Sequence, residues 1–189
     1  MHHGVVNGAV IFADRYGNKN GALYFDGIDD YITIKETSGF EDFNDPGTEF
    51  TLSAWCYPGS GNSGFIFSNT SEDGWHDIRM SNLVPGFGVR DVGWIYTVLN
   101  PDEPISANEW HHIVCTFDNP YLTIYVDGKN KVTTHIIRDL LSSGGWENGG
   151  VRIGVSYLLD SWYYKGGIDD IRIFNRGLSE TEILELYTG

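Results

Sequence analysis

Basic residues are scarce in this chain. Twelve lysines and arginines stand against 26 aspartates and glutamates, a formal net charge of −14 over 189 residues. That balance argues against a nucleic-acid partner or an anionic membrane surface, because both need a basic face. Long apolar runs are missing too: none approaches the roughly 18 residues of a membrane span. The opening MHHGVV has no apolar segment of a signal peptide, so a secreted parent would carry its signal elsewhere. There are only two cysteines, Cys56 and Cys115, too few for a disulfide-stapled scaffold. Motifs of several enzyme classes are absent as well. No Gly-x-Ser-x-Gly elbow, His-Glu-x-x-His or Cys-x-x-Cys occurs.

Glycine and aromatics are plentiful. The chain has 24 glycines and 14% aromatics within 41% hydrophobic residues, enough for one domain, 1–189, with a sizeable core. Short alternating runs predict strands over Gly4–Phe12, Ala22–Phe25, Tyr31–Lys35, Phe50–Tyr57, Gly64–Ser68, His76–Met80 and Gly86–Arg90. Further runs cover Trp94–Leu99, Trp110–Asp118, Leu122–Val126, Lys131–Ile136, Val151–Val155 and Gly167–Asn175. All six prolines fall between these runs, where a missing donor costs nothing. Asp127-Gly128 marks a tight hairpin, since both residues tolerate positive φ. One helix is predicted near the end, with Ser179 and Glu182 spaced as a capping box before Ile183, Leu186 and Tyr187. The expected fold class is all-β, a two-sheet antiparallel sandwich with one short C-terminal helix.

The runs GALYFDGIDDYITI, FTLSAWCYP, NEWHHIVCTFDN, LTIYVDGK and GGIDDIRIFNRGLSETEI occur in that order. Together they resemble the laminin-G-like domains of the concanavalin A-like lectin/glucanase superfamily, over almost the whole chain. The resemblance implies a jelly roll with one concave sheet and an extracellular or cell-surface setting. Bacterial members usually have one more strand and an Asp/Asn/Gly-rich loop before the opening HG. The chain is therefore expected to be one domain of a larger protein, joined to neighbouring domains and short of that strand, whose absence would leave backbone groups unpaired.

Members of this superfamily often hold a structural calcium that joins the start of the domain to its last strand. Two near-repeats here, DGIDDYITI at Asp26–Ile34 and GGIDDIRIF at Gly166–Phe174, fit that expectation. Side chains alternate along a strand, so Asp30 shares parity with Ile32 and Ile34, and Asp169 with Ile171 and Ile173. If the isoleucines face the core, each aspartate is buried at a rim and needs a cation or donors. Asp29, Asp30 and Asp169 are thus the candidate ligands of a structural Ca2+, which takes roughly 6–8 oxygens. The alternative is that the doublets hydrogen-bond their own backbone as turn formers and that Asp170 simply pairs with Arg172.

The same superfamily includes glucanases, whose run Glu-x-Asp-x-x-Glu places two carboxylates about 5–5.5 Å apart on one strand. That run is absent, and His111–His112 sits in a strand-entry segment shared with non-catalytic members, so no enzyme is expected. Binding is the better reading. Sugars stack on aromatic faces while planar polar groups fix their hydroxyls. Trp75, Trp94, Trp146, Trp162 and Tyr163 lie outside the obvious core strands, and Asp77, Arg79 and Arg90 alternate outward beside them. These eight residues are the candidate ligand-binding set for a polysaccharide or oligosaccharide, while Trp55 and Trp110 read as core. An adhesion or protein-interaction module without glycan specificity is the alternative. Cys56 and Cys115 lie in strands expected to be neighbours, either bridged or as buried free thiols.

Overall fold

The computed structural model describes residues 4–34, 49–70, 75–91, 94–137, 140, 150–156 and 161–189. In chain order its strands are β1 (Val5–Asn7), β2 (Val10–Phe12), β3 (Ala22–Asp26), β4 (Tyr31–Ile34), β5 (Phe50–Pro58), β6 (Gly64–Thr70) and β7 (Trp75–Ser81). Then come β8 (Val84–Arg90), β9 (Tyr96–Leu99), β10 (His111–Asp118), β11 (Tyr121–Val126), β12 (Lys129–His135), β13 (Gly150–Ile153) and β14 (Lys165–Phe174). The single helix, α1, spans Glu180–Thr188.

The strands form two antiparallel seven-stranded sheets. The first runs β1-β4-β13-β6-β7-β8-β9 and the second β12-β11-β10-β5-β14-β3-β2. This is the two-sheet sandwich the alternation predicts, in the jelly-roll form the resemblance implies. Inner faces meet in one core that includes Phe25, Leu52, Ile66, Ile78, Phe87, Ile113 and Tyr164. Their alternation with outward-facing neighbours sets the register: in β5, Leu52, Ala54 and Cys56 point in, while Ser53 and Trp55 point out.

Several local devices are as the sequence implies. Asp127 (φ 52°) and Gly128 (φ 70°) turn β11 into β12. Ser179 accepts from Glu182 N–H while the Glu182 carboxylate accepts from Ser179 N–H, which closes the capping box and starts α1. The helix covers part of the second sheet's outer face, with buried Ile183 against Val114, Tyr125 and Leu178.

Other features differ from expectation. Gly4–Phe12 is not one strand. It breaks at Gly8 (φ 77°), so that β1 joins the first sheet and β2 the second. No other residue suits Gly8, because a side chain's first carbon there would overlap the Asp30 carboxylate. Trp94 lies outside any strand; it takes φ 62° in a turn and donates its N–H to Asp91 O. Trp55 is buried, but on the outer face of the second sheet, stacked on His112 at 4.9 Å and on Tyr187 of α1 at 5.6 Å. Trp110 is half-buried beside Tyr57 and Phe12, not in the core.

Cys56 and Cys115 are both free and buried. They lie on the paired strands β5 and β10, but Cys56 faces His111 and Cys115 faces Leu52. Four residues of offset is about 13 Å along a strand, well beyond the span of a disulfide. Burial pushes the Cys56 thiol up to about 12 and Cys115 well above its ordinary value, so both act as inert core side chains.

Candidate functional site: the outer face of the first sheet

Asp77 and Arg79 point out of the sandwich from β7, flanked by the inward Ile78 and Met80. Across from them β8 presents Gly86 and Gly88. A side chain at Gly88 would meet the Tyr96 hydroxyl, and its first carbon would stand 2.6 Å from Asp77 Oδ2. The missing side chains therefore make room for a polar cluster. Arg79 donates from Nε and Nη2 to the two Asp77 oxygens, both at 2.7 Å, and the Tyr96 hydroxyl donates to Asp77 Oδ2 at 2.5 Å. The guanidinium lies 4.7 Å from the Phe65 ring centroid and 5.0 Å from that of Tyr96.

Asp77 is fully buried under this cluster. Its outward parity suggested an open contact; its carboxylate is instead sealed from solvent and bonded to Arg79 and Tyr96, whose positions it fixes. Burial pushes its carboxyl up to about 6, against the pull of the Arg79 charge. Arg79 keeps part of its side chain in solvent. The result is a guanidinium held by its carboxylate and packed on two aromatic rings, a planar donor set of fixed orientation.

Two exposed tryptophans lie in segments that adjoin this sheet. Trp162, 56% exposed at φ 61°, runs beside β6 and accepts from Phe65 N–H. Trp94, 58% exposed, lies 5.8 Å from the Arg90 guanidinium, which leaves β8 opposite Tyr96. Arg152 faces outward from β13 with its guanidinium 5.5 Å from the Tyr31 ring. Tyr163 is half-buried, and its carbonyl packs against Gly64. Trp75 begins β7 opposite Thr70. Trp146 lies outside the described residues.

A second cluster sits at the corner where β3 turns into β4. Carboxylate oxygens of Asp26, Asp29 and Asp30 all lie within 4.8 Å of one another. The Asp26 side chain accepts from Ile28 N–H at 2.7 Å and Asp29 N–H at 3.4 Å, and Asp30 Oδ2 accepts from Asp26 N–H at 2.8 Å. Gly27 (φ 83°) bends the turn. Three hard oxygen donors on a tight turn, one of them buried, form a set that suits calcium. Their hydrogen bonds are also those of a self-capped turn.

Asp169 is not part of that corner. Strand β14 bulges between Asp169 and Arg172, with Asp170 at φ 45°. The extra residue reverses the alternation. Ile168 points into the core, so Asp169 points out beside Trp55, while Ile171 and Ile173 return to the core side. Parity counted from the isoleucines is therefore wrong for Asp169, though right for Asp30. Along β14, Asp169 is four residues past Lys165, the partner of Asp26, or about 13 Å. Its charge neighbour is Arg15 at 3.8 Å. Arg15 also pairs with Asp170 at 2.8 Å and lies over the Trp55 ring at 4.5 Å. Asp170 pairs with Arg172 as well, at 3.4 Å.

His111 stands between Ser106 Oγ and Asp127 Oδ2, each at 2.8 Å, the order of a hydrolase relay. The Ser106 hydroxyl donates to Glu109 at 2.8 Å, however, so its one proton is not offered to the ring. Asp127 also accepts from His112 N–H. Burial opposes its ionisation, but the bonds from His111 and His112 outweigh burial and hold the carboxyl below its ordinary value. The network fastens the loop before β10 to the β11–β12 turn.

Three participants escaped sequence reasoning. Tyr96 and Phe65 looked like ordinary strand aromatics; the Gly86-Phe87-Gly88 spacing opposite two polar residues was the readable sign that something large lay across them. Asp26 is in the quoted motif, but its role depends on the Gly27 turn that folds it back toward Asp30. A further aromatic group, Phe12, Tyr24, Tyr57 and Trp110, gathers on the second sheet's outer face with centroids 5.3–6.2 Å apart.

A sequence model described as the concanavalin A-like lectin/glucanases superfamily matches residues 16–184. Among solved structures, the binding domain of botulinum neurotoxin serotype G superposes with a TM-score of 0.76 at 18% identity, covering 99% of this chain and 46% of that one. The binding domain of Paraclostridial Mosquitocidal Protein 1 gives 0.74 at 18% identity, over 98% and 47%. The ligand binding domain of botulinum neurotoxin serotype D, in complex with N-acetylneuraminic acid, gives 0.74 at 18% identity, over 100% and 46%. This chain thus spans just under half the length of those chains, and at such identity the likeness speaks for the fold. None of the curated proteins gives a sequence match.

Proposed function

Since this chain belongs to the concanavalin A-like lectin/glucanases superfamily, we propose that it is a non-catalytic carbohydrate-binding module working at the cell surface or outside the cell. The single observation that carries the reading is the Asp77–Arg79–Tyr96 cluster on the outer face of a sheet whose adjoining segments carry two exposed tryptophans. An arginine whose orientation is set by a buried carboxylate loses little freedom on meeting a sugar hydroxyl. Trp162 and Trp94 supply flat faces for ring C–H surfaces. Arg90 completes the polar set. The serotype D toxin domain, solved with N-acetylneuraminic acid, is a sugar-binding precedent on this fold only.

No chemistry beyond binding is assigned to the face. Among the described residues Asp77 is the one carboxylate of its hydrogen-bonded cluster and is spent on Arg79 and Tyr96, whereas a glycosidase needs two. Asp26, Asp29 and Asp30 would hold a structural calcium, which would neutralise the corner beside Gly8 where the chain changes sheets. The parent protein would contribute further domains.

A glycan array, run with and without chelator, tests the reading. Neutral or acidic glycans should bind with micromolar to millimolar affinity. Silence across a broad panel would refute it and favour the second reading, a protein-interaction module. One feature supports that alternative: the edge strands β1 and β2 expose Val5, Val6, Val10 and Ile11, and no charged residue lies between Val5 and Phe12.

A further inference from the structure

Pairing between β14 and β3 stops at Ile168 opposite Leu23, and the bulge at Asp170 then carries β14 away from its neighbour. The parting opens a cleft of about 300 Å³ into the sandwich. Its walls are apolar: Ile11, Phe25, Ile32, Ile153, Ile168 and Ile171. A cavity of about 150 Å³ accepts one benzene ring, so this cleft accommodates a chain of roughly eight carbons.

The mouth is acidic. Asp169 and Asp170 line it, and Asp14 stands beside Gly21 on the opposite lip. Two guanidiniums, Arg15 and Arg172, face these three carboxylates, which leaves one negative charge in excess. Both are drawn mainly to Asp170, at 2.8 and 3.4 Å. Asp169 has little solvent: its side chain is 14% exposed. Its Oδ1 accepts from Asp170 N–H at 2.7 Å, but among the described residues no hydrogen-bond donor reaches Oδ2. The nearest cation to it is Arg15 Nη1 at 3.8 Å, beyond hydrogen-bond range. A carboxylate on a side chain only 14% exposed, with one oxygen that no described donor reaches, stands at the lip of an apolar cleft and suits a cationic donor with an apolar tail.

We propose that this cleft binds an alkylammonium ion, with its chain against the isoleucines and Phe25 and its ammonium on Asp169. The mouth opens beside β14 and β3 of the second sheet, the apolar end reaches Ile32 and Ile153 of the first, and the proposal does not rest on the sugar face. Arg15 and Asp170 stand beside Asp169 at the lip.

Titration of the whole chain with hexylammonium, hexanol and hexanoate, followed by isoleucine methyl NMR, tests it. Hexylammonium should saturate, shift the methyls of Ile11, Ile32, Ile153 and Ile171, and bind at least tenfold tighter than hexanol or hexanoate. Asp169→Asn should reduce it to the affinity of hexanol. If that variant proves unfolded by circular dichroism, Asp170→Asn, on the exposed lip, should still weaken the ammonium several-fold and leave hexanol unchanged. Hexylammonium binding no better than hexanol, or shifts confined to other methyls, would overturn the proposal.

Discussion

At Gly88 the first carbon of a side chain would displace the Tyr96 hydroxyl and crowd Asp77, so the residue that makes the face possible is one with no chemistry of its own. Gly88→Ala should cost about 1–3 kcal/mol, as overpacking does, and Tyr96→Phe about 1 kcal/mol, the net worth of one hydrogen bond. Urea unfolding midpoints measure both, and a Gly88→Ala midpoint equal to the parent's would contradict the packed cluster. At this scale the sequence was legible in part. Outward parity correctly put Asp77, Arg79 and Arg90 on one face. It did not reveal that Asp77 is sealed under its neighbours, because burial depends on which side chains fold over it, here Arg79 of its own strand and Tyr96 of β9 across the glycines of β8. The same limit hid Asp26, whose oxygens reach Asp29 and Asp30 only through the Gly27 turn.

Among elements, the clearest signals were those closed within a few residues. The Asp127-Gly128 turn and the Ser179–Glu182 capping box each depend on local backbone geometry alone. Ser179→Ala should cost about 1 kcal/mol and leave ligand binding untouched, as thermal melts and titrations would report. The β14 bulge was not legible, since an alternating run reads the same with or without one extra residue. That extra residue sends Asp169 to Arg15 and away from the acidic corner. Calcium stabilisation, if calcium is held at Asp26, Asp29 and Asp30, is mass action on the native state, about 2.7 kcal/mol at a hundredfold excess over Kd. Added calcium should therefore raise Tm over the chelated protein. Asp30→Ala and Asp26→Ala should abolish the gain and Asp169→Ala should keep it. Equal melting curves with calcium and with chelator would make the corner a capped turn only.

Over the whole molecule, two buried histidines and one buried aspartate pull stability in opposite directions with pH. Burial holds His76 and His112 down at about 4, against 6.5 in the unfolded chain. The unfolded chain takes those protons first, so the stability they contribute is full above about pH 6.5 and is lost between about 6.5 and 4. Asp77 is the reverse: at about 6 when folded against 3.8 unfolded, it adds stability as pH falls through the same range. Two groups outweigh one, at about 1.4 kcal/mol per pH unit each, so stability should fall from pH 7 to 4. His112→Gln should flatten that slope, measured as urea midpoint against pH.

The order of strands was legible at this scale because alternation and turns punctuate most of the chain. The sheet change at Gly8 was not, because Gly4–Phe12 alternates through it. The central claim is that the first sheet's outer face is the sugar site. Backbone NMR of the labelled chain, titrated with an array-positive glycan, tests it most directly. Shifts should concentrate at Arg79, Arg90, Trp94, Tyr96 and Trp162, and the Arg79→Ala variant should lose at least tenfold in affinity. Shifts gathered instead around Phe12, Tyr24, Tyr57 and Trp110, with Arg79→Ala binding like the parent, would contradict it.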